Sequence, residues 1–177
     1  MNRPDLCLEF ANTRYWRGQD TPTETLNTPA DLAAWAKVPT PPTQKEFERA
    51  LELRETIHRL FDTVAQGKGP AARDFDRLNT ALAAAPARTV LKRGSEAFDW
   101  ELDIRSGTAL ALLAPVLWSA GDLLASGKLA KVRRCANPEC LYLFLDDSRA
   151  GKRRWCTMSS CGNRAKAKRH YHKSKQA

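Results

Sequence analysis

Residues 131–173 read KVRRCANPECLYLFLDDSRAGKRRWCTMSSCGNRAKAKRHYHK, and they hold four of the chain's five cysteines: Cys135, Cys140, Cys156 and Cys161. The cysteines form two pairs with four residues inside each pair and fifteen between the pairs. A soft divalent metal of tetrahedral preference needs four thiolates converging on one point, and a short loop between paired cysteines turns both sulfurs to the same side. The expected cofactor is Zn2+, although a four-residue gap is looser than the two-residue gap of zinc ribbons.

Between the pairs, Leu141–Leu145 is apolar and β-favouring, residues 146–151 carry turn chemistry, and Arg153, Arg154 and Trp155 lead to the second pair. This pattern predicts a β-hairpin with the metal at its base. Ser159 and Ser160 suit a helix start, and residues 163–173 contain neither Pro nor Gly, so a helix is expected there with Cys161 in its first turn. Knuckle, hairpin and ligand-bearing helix make a treble-clef-like unit. About forty residues bury too little core to stand alone, so metal binding must drive its folding. Gly162 would permit close approach at the metal, and Asn163 would bond a thiolate or tie the helix to the knuckle.

Cys161-Gly162-Asn163-Arg164, preceded by Arg153-Arg154-Trp155-Cys156 and by the first cysteine pair, resembles the CGNR zinc finger of bacterial proteins regarded as transcription regulators. Upstream, residues 6–13 (LCLEFANT) resemble the LDFVNT-type opening of the ABATE domain that precedes this finger, with Glu9 in place of the more usual Asp. The resemblance implies DNA binding and stress-linked regulation.

Length, composition and charge bound the rest. The 177 residues, 42% hydrophobic, fit one compact domain with a small appendage, or two small domains. The expected class is mainly α with a small β-hairpin (α+β): residues 1–127 an ABATE-like helical domain with a hairpin near 88–104, and residues 128–177 the finger. No stretch approaches the roughly 20 apolar residues of a membrane span, and the polar opening MNRPD lacks signal-peptide organisation, so a cytoplasmic protein with reduced thiols is expected. Cys7 reads as a small buried hydrophobe. Of the net charge of +9, residues 128–177 hold 14 Lys/Arg against three acids, or +11, and residues 1–127 hold 15 against 17, or −2.

In chain order, residues 6–12 form a short apolar element, and Thr28-Pro29 opens a helix over 30–37 with Leu32 and Trp35 on one side. Thr43 and Glu46 have capping-box spacing before a helix of about twenty residues, whose apolar face (Phe47, Leu51, Ile57, Leu60, Phe61, Val64) carries one charged interruption at Arg54. His58 reads as a surface or boundary residue. Pro70 should open the next helix, with Phe75, Leu78 and Leu82 inward. Alternation at Phe98, Trp100, Leu102 and Ile104 predicts a hairpin with one buried face around Gly94-Ser95-Glu96. Residues 106–126 read as the core helix, kinked or split by Pro115. With no Gly/Ser linker before the finger, body and finger should pack together. Trp16, Trp35, Trp100 and Trp118 read as core aromatics, or as the lining of a pocket for a small effector.

Four cysteines complete a tetrahedron and leave no open position for substrate, and no paired-carboxylate motif, nucleophile elbow or phosphate loop stands elsewhere, so a non-enzymatic binding protein is expected. Residues 162–177 contain no acid. A helix so charged repels itself unless a polyanion neutralises it. DNA, favoured over RNA, is the expected partner, with helix 163–173 at the major groove. The candidate contacts are Arg133, Arg134, Arg153, Arg154, Arg164, Lys166, Lys168, Arg169 and Lys173, Arg164 having Glu139 as an alternative partner. The N-terminal domain would sense a ligand or mediate homodimerisation. An RNA-binding protein, and a protein-interaction module with a purely structural zinc, are the alternatives.

Overall fold

The computed structural model describes residues 5–93, 98–102 and 107–175. Its first helix, α1 (Leu6–Ala11), is wrapped by the others, and Cys7, Leu8, Phe10 and Ala11 are all buried. Cys7 is the small hydrophobe expected: burial pushes its thiol up to about 12, and its N–H donates to Ser119 Oγ at 3.1 Å. Helix α2 (Pro29–Ala36) starts on a reciprocal cap between Thr28 and Asp31 and ends at Lys37 in the left-handed region. Its Trp35 packs on Phe10 with ring centroids 5.0 Å apart.

Helix α3 (Gln44–Ala65) is the long strut of the body, burying Phe47, Ala50, Arg54, Ile57, Leu60 and Phe61 at helical spacing. Thr43 caps it, but the capping box is not reciprocated. The Glu46 carboxylate instead accepts the Ala109 N–H at 2.6 Å and so caps another helix, α5 (Ala109–Leu112). Helix α4 (Ala72–Ala84) begins after Pro70, not on it, and Phe75 is 40% exposed where the sequence pattern placed it inward. Pro115 separates α5 from α6 (Ala114–Ala125) and sits in the first turn of α6, where a missing N–H costs nothing.

Among the described residues, three two-stranded antiparallel sheets complete the fold. The first joins β1 (Arg14–Tyr15) to β2 (Thr23–Glu24). The second joins β3 (Leu91–Arg93) to β4 (Phe98–Trp100), the expected hairpin, whose turn at 94–96 and Ile104 lie outside the described residues. This hairpin does not bury the expected face: Leu91, Phe98 and Trp100 are all exposed, and among the described residues no third strand joins the pair. The third joins β5 (Val132–Arg134) to β6 (Leu143–Leu145).

The charged interruption in α3 is a buried ion-pair hub. Arg54, 2% exposed, forms a fork to Glu24 at 2.6 Å through both Nη atoms, and its Nε reaches Glu55 at 3.0 Å. Glu55 also receives Arg17 at 2.7 Å. Burial works against ionisation of Glu55, but Arg17 and Arg54 outweigh it and hold the carboxyl down at about 2. One turn on, His58 is buried and not a surface residue, and burial followed by the Arg17 charge pushes it down to about 4.

Body and finger do pack together, through a shared core. Val132 and Leu143 belong to the same buried cluster as Leu8, Ile57 and Leu60. The Asn12 side chain acts as a third strand beside β6: its Nδ2 donates to the Leu143 carbonyl at 2.8 Å and its Oδ1 accepts the Leu143 N–H at 3.0 Å. Arg134 pairs with Asp62 of α3 at 3.1 Å. No described helix is long and apolar enough to cross a membrane.

Candidate metal centre and nucleic-acid interface

The hairpin of the finger is not the one the sequence pattern suggested. Residues 143–145 pair backwards with β5, so the first cysteine pair sits on the connecting loop, and residues 153–155 form no strand. The returning chain is fixed by single bonds, Ala136 N–H to the Arg154 carbonyl at 2.8 Å and Arg153 N–H to Asp146 Oδ2 at 2.8 Å. Asp146, which sequence alone counts as a surface acid, is 1% exposed and also caps Ser148, which closes the turn. Thr157, not Ser159 or Ser160, caps the last helical segment. Its hydroxyl accepts from Ser160 N–H ahead of one π-helical turn (Met158–Gly162), which runs into α7 (Asn163–Ser174).

All four sulfurs converge. Cys135, Cys140, Cys156 and Cys161 place their Sγ atoms within 4.8 Å of one another, with Cys140 and Cys156 at 3.8 Å and none in a disulfide. Metal–sulfur bonds of about 2.3 Å in a tetrahedron give sulfur–sulfur edges of about 3.8 Å, so this donor set fits one ion. The electrostatics agree. Burial, then the neighbouring sulfurs, raise Cys140, and the same causes push Cys156 up to about 11. A central cation reverses that penalty, because the thiols coordinate as thiolates. Burial opposes ionisation of Cys161 too, yet Asn137 and the adjacent cysteines outweigh it and lower the thiol.

The bond from Asn137 Nδ2 to Cys161 Sγ, at 3.5 Å, is the one sequence reasoning had offered to Asn163. Asn163 is exposed and its amide donates to the Ser159 carbonyl at 3.4 Å, within its own helical turn. Gly162 is buried, but an added Cβ would press only on the end of the flexible and exposed Met158 side chain, at 2.7 Å from its Sδ, with the nearest backbone atom, the Thr157 oxygen, at 3.5 Å.

Two family descriptions match this chain. Residues 131–174 match "CGNR zinc finger", and residues 4–127, about 70% of the 177, match ABATE, described as "Putative stress-induced transcription regulator". The chain belongs to the ABATE family. No curated protein matches it.

The CGNR finger sorts its cations into two sets. One is engaged with groups of the protein, although Arg153 and Arg164 stay exposed. Arg134 holds Asp62, Arg133 Nη1 donates to the Ala130 carbonyl at 2.7 Å, and Arg153 lies over the Phe144 ring at 4.5 Å while donating to the Trp155 and Cys156 carbonyls. Arg164 pairs with neither Glu139 nor solvent alone; its guanidinium lies 4.4 Å above the indole of Trp16. The other set faces outward. Lys166, Lys168 and Arg169 are exposed along α7, and Arg154 is exposed beside Trp155 at 5.4 Å. Lys173 lies in α7, and its side chain is outside the described residues.

Sequence reasoning missed the ABATE contribution to this surface. The β1–β2 loop clasps the knuckle: Gly18 N–H donates to the Glu139 carbonyl at 3.0 Å, and a Cβ on Gly18 would stand 1.8 Å from the Pro138 oxygen. Trp16 holds φ of 54°, a left-handed conformation costly for a bulky residue, to meet Arg164. A glycine two residues beyond a tryptophan was the only local sign. The four tryptophans weighed as a pocket are dispersed: Trp16 on the finger, Trp35 on Phe10, and Trp100 and Trp118 both within reach of Arg88, at 5.8 and 5.6 Å.

Proposed function

We propose that the CGNR finger, folded around a structural zinc ion, binds duplex DNA through α7 and that the chain acts as a stress-linked transcription regulator. The observation that carries this reading is the outward set on α7. Lys166 and Lys168 have no carboxylate partner among the described residues, Arg169 bonds only the Ala165 carbonyl of its own helix at 3.4 Å, and residues 162–177 contain no acid. Unneutralised cations along one exposed helix suit a regularly spaced polyanion. Zinc is the ion we assign, because four converging cysteine sulfurs, three of them buried, select a soft ion as thiolates without redox demands. Four protein ligands leave no position for a substrate, so the role proposed is binding without catalysis.

The test is titration of zinc-loaded protein onto duplex DNA over a range of salt. On duplex DNA the logarithm of affinity falls with the logarithm of salt by about 0.9 per neutralised phosphate. The combined Lys166→Ala, Lys168→Ala and Arg169→Ala variant should lose up to about 2.7 of that slope. An unchanged slope sinks the assignment of α7, and tighter binding of structured RNA than of duplex DNA moves the partner to RNA.

A further inference from the structure

Two arginines of α3 are spent on holding the body together: Arg54 pairs with Glu24 and Glu55, and Arg59 takes Asp74 of α4 at 2.6 Å. Three others on these helices are not. Arg49 of α3 and Arg73 and Arg77 of α4 line a groove of about 690 Å³, within the roughly 300–1,000 Å³ of small-molecule sites. Glu52 and Asp76 line it too, and its described wall holds no cysteine and no residue of the finger. All five charged side chains are exposed, and none makes an ion pair among the described residues. Residues three apart are neighbours on a helix surface, so Arg49 with Glu52 and Arg73 with Asp76 are spaced to pair, and they do not. Both signs of charge stand unused along one groove.

Between the charges the floor is apolar. Leu53 is half-buried, and Ala81 and Leu110 are buried. On the α4 side the Thr80 hydroxyl donates to the Asp76 carbonyl at 2.9 Å and keeps lone pairs that can accept an N–H. A ligand that uses all of these groups carries an anion, a cation and an apolar body with amide donors. Guanidinium forks match a carboxylate, and a carboxylate matches an ammonium. Arg73 and Arg77 stand one turn apart on α4, which makes that wall the place for the anion. Glu52, on the opposite wall, is the acid set apart from those two cations.

Length narrows the class further. The part of α3 in the wall runs from Arg49 to Thr56, which at about 1.5 Å per residue is roughly 10 Å. An extended chain advances about 3.3–3.6 Å per residue, so about three residues fill that span. We propose that this groove binds a free apolar peptide of about that length, its carboxylate at Arg73 and Arg77, its ammonium at Glu52 and its side chains over Leu53, Ala81 and Leu110. The proposal is independent of the nucleic-acid reading.

Calorimetric titration of the metal-loaded full chain with the peptide Ala-Leu-Ala, its N-acetyl form and its C-terminal amide tests it without DNA present. The free peptide should bind at least about tenfold more tightly than either blocked form. The Arg73→Gln, Arg77→Gln double variant should erase the preference over the amide and keep the preference over the acetylated form, and Glu52→Gln should do the reverse. Acetylated peptide binding as well as free peptide, which marks capture of a longer chain's C-terminus, overturns the proposal. So does an amide that binds as well as the free acid, an absence of heat from all three peptides, or a preference that survives its own variant. The substituted side chains are exposed. Should circular dichroism show a variant unfolded, the comparison of the three peptides on the wild-type chain decides alone.

Discussion

Asn12 is the residue whose loss should most cleanly separate the finger from the body. Its amide is buried, and it satisfies both the N–H and the carbonyl of Leu143, at 3.0 and 2.8 Å, on the edge of β6 that β5 leaves open. Asn12→Ala strips both partners from a buried backbone pair. Leaving a buried donor or acceptor unsatisfied costs about 1–3 kcal/mol each, so the variant should lose about 2–6 kcal/mol. For a chain of this length, about 2–4 °C of Tm accompanies each kcal/mol, and thermal unfolding of the metal-loaded protein should show a fall of at least about 4 °C. Asn12→Asp separates hydrogen bonding from volume. At neutral pH a carboxylate still accepts the Leu143 N–H but faces the Leu143 carbonyl with a second acceptor oxygen in place of a donor. When protonated it can donate, so the folded-state pKa of the new acid rises above its unfolded value. Its stabilising contact is therefore present at low pH and lost as pH rises through the folded pKa, and the deficit against wild type at matched pH should shrink on acidification. A deficit below about 1 kcal/mol for Asn12→Ala, or an aspartate as good as asparagine at pH 7, would refute this account of the joint.

Three further outcomes are expected. Gly18→Ala should cost about 1–3 kcal/mol or more, because its new Cβ would meet backbone at 1.8 Å from the Pro138 oxygen and 2.9 Å from Glu139 Cα; denaturant unfolding with a midpoint equal to wild type contradicts the clasp. Because His58 is pushed down from 6.5 to about 4, the unfolded chain takes up that proton first, so stability is full above pH 6.5 and falls by about 3 kcal/mol toward pH 4; His58→Gln should flatten the pH profile in that window, and an unflattened profile rejects it. Stripping the metal with a chelator should lower the melting of the whole chain and not of the finger alone, since Val132 and Leu143 are part of the body's core; a body transition indifferent to chelator, followed by circular dichroism, would argue against it.

The parts of this protein that are legible from sequence are those whose determinants are local. Cys135, Cys140, Cys156 and Cys161 announce their convergence by spacing, α3 announces its face by period, and Pro115 marks the break between α5 and α6. What failed depended on partners far along the chain. Residues 141–145 read as strand, but nothing in them says whether β5 or residues 153–155 will pair; the core position of Val132 decides it. Arg54 looked like an interruption because Glu24 lies 30 residues earlier, yet it sits three residues before Ile57 and four after Ala50, on the buried stripe itself. A charge in that position needs a buried counter-charge, and that requirement was the available signal. Asn12 gave less warning, since a polar residue ending a short apolar helix reads equally well as a boundary.

The division of the finger's cations changes what its net charge means. Of the nine side chains that sequence nominates for contact, Arg133, Arg134, Arg153 and Arg164 are engaged with carbonyls, Asp62, Phe144 and Trp16. Those four have partners within the protein, and they include the arginine of the CGNR sequence itself. Lys166, Lys168 and Arg169 stand at i, i+2 and i+3 on α7, where a helix advances about 1.5 Å per residue, so their Cα atoms span roughly 4.5 Å of helix axis. One short exposed segment therefore carries three of these charges, and the Arg164 side chain near its start lies on Trp16 of the body. The four cysteines draw the finger's own segments together, and Trp16, Gly18 and Asn12 join it to the body across the seam, through Arg164, Glu139 and Leu143 in turn.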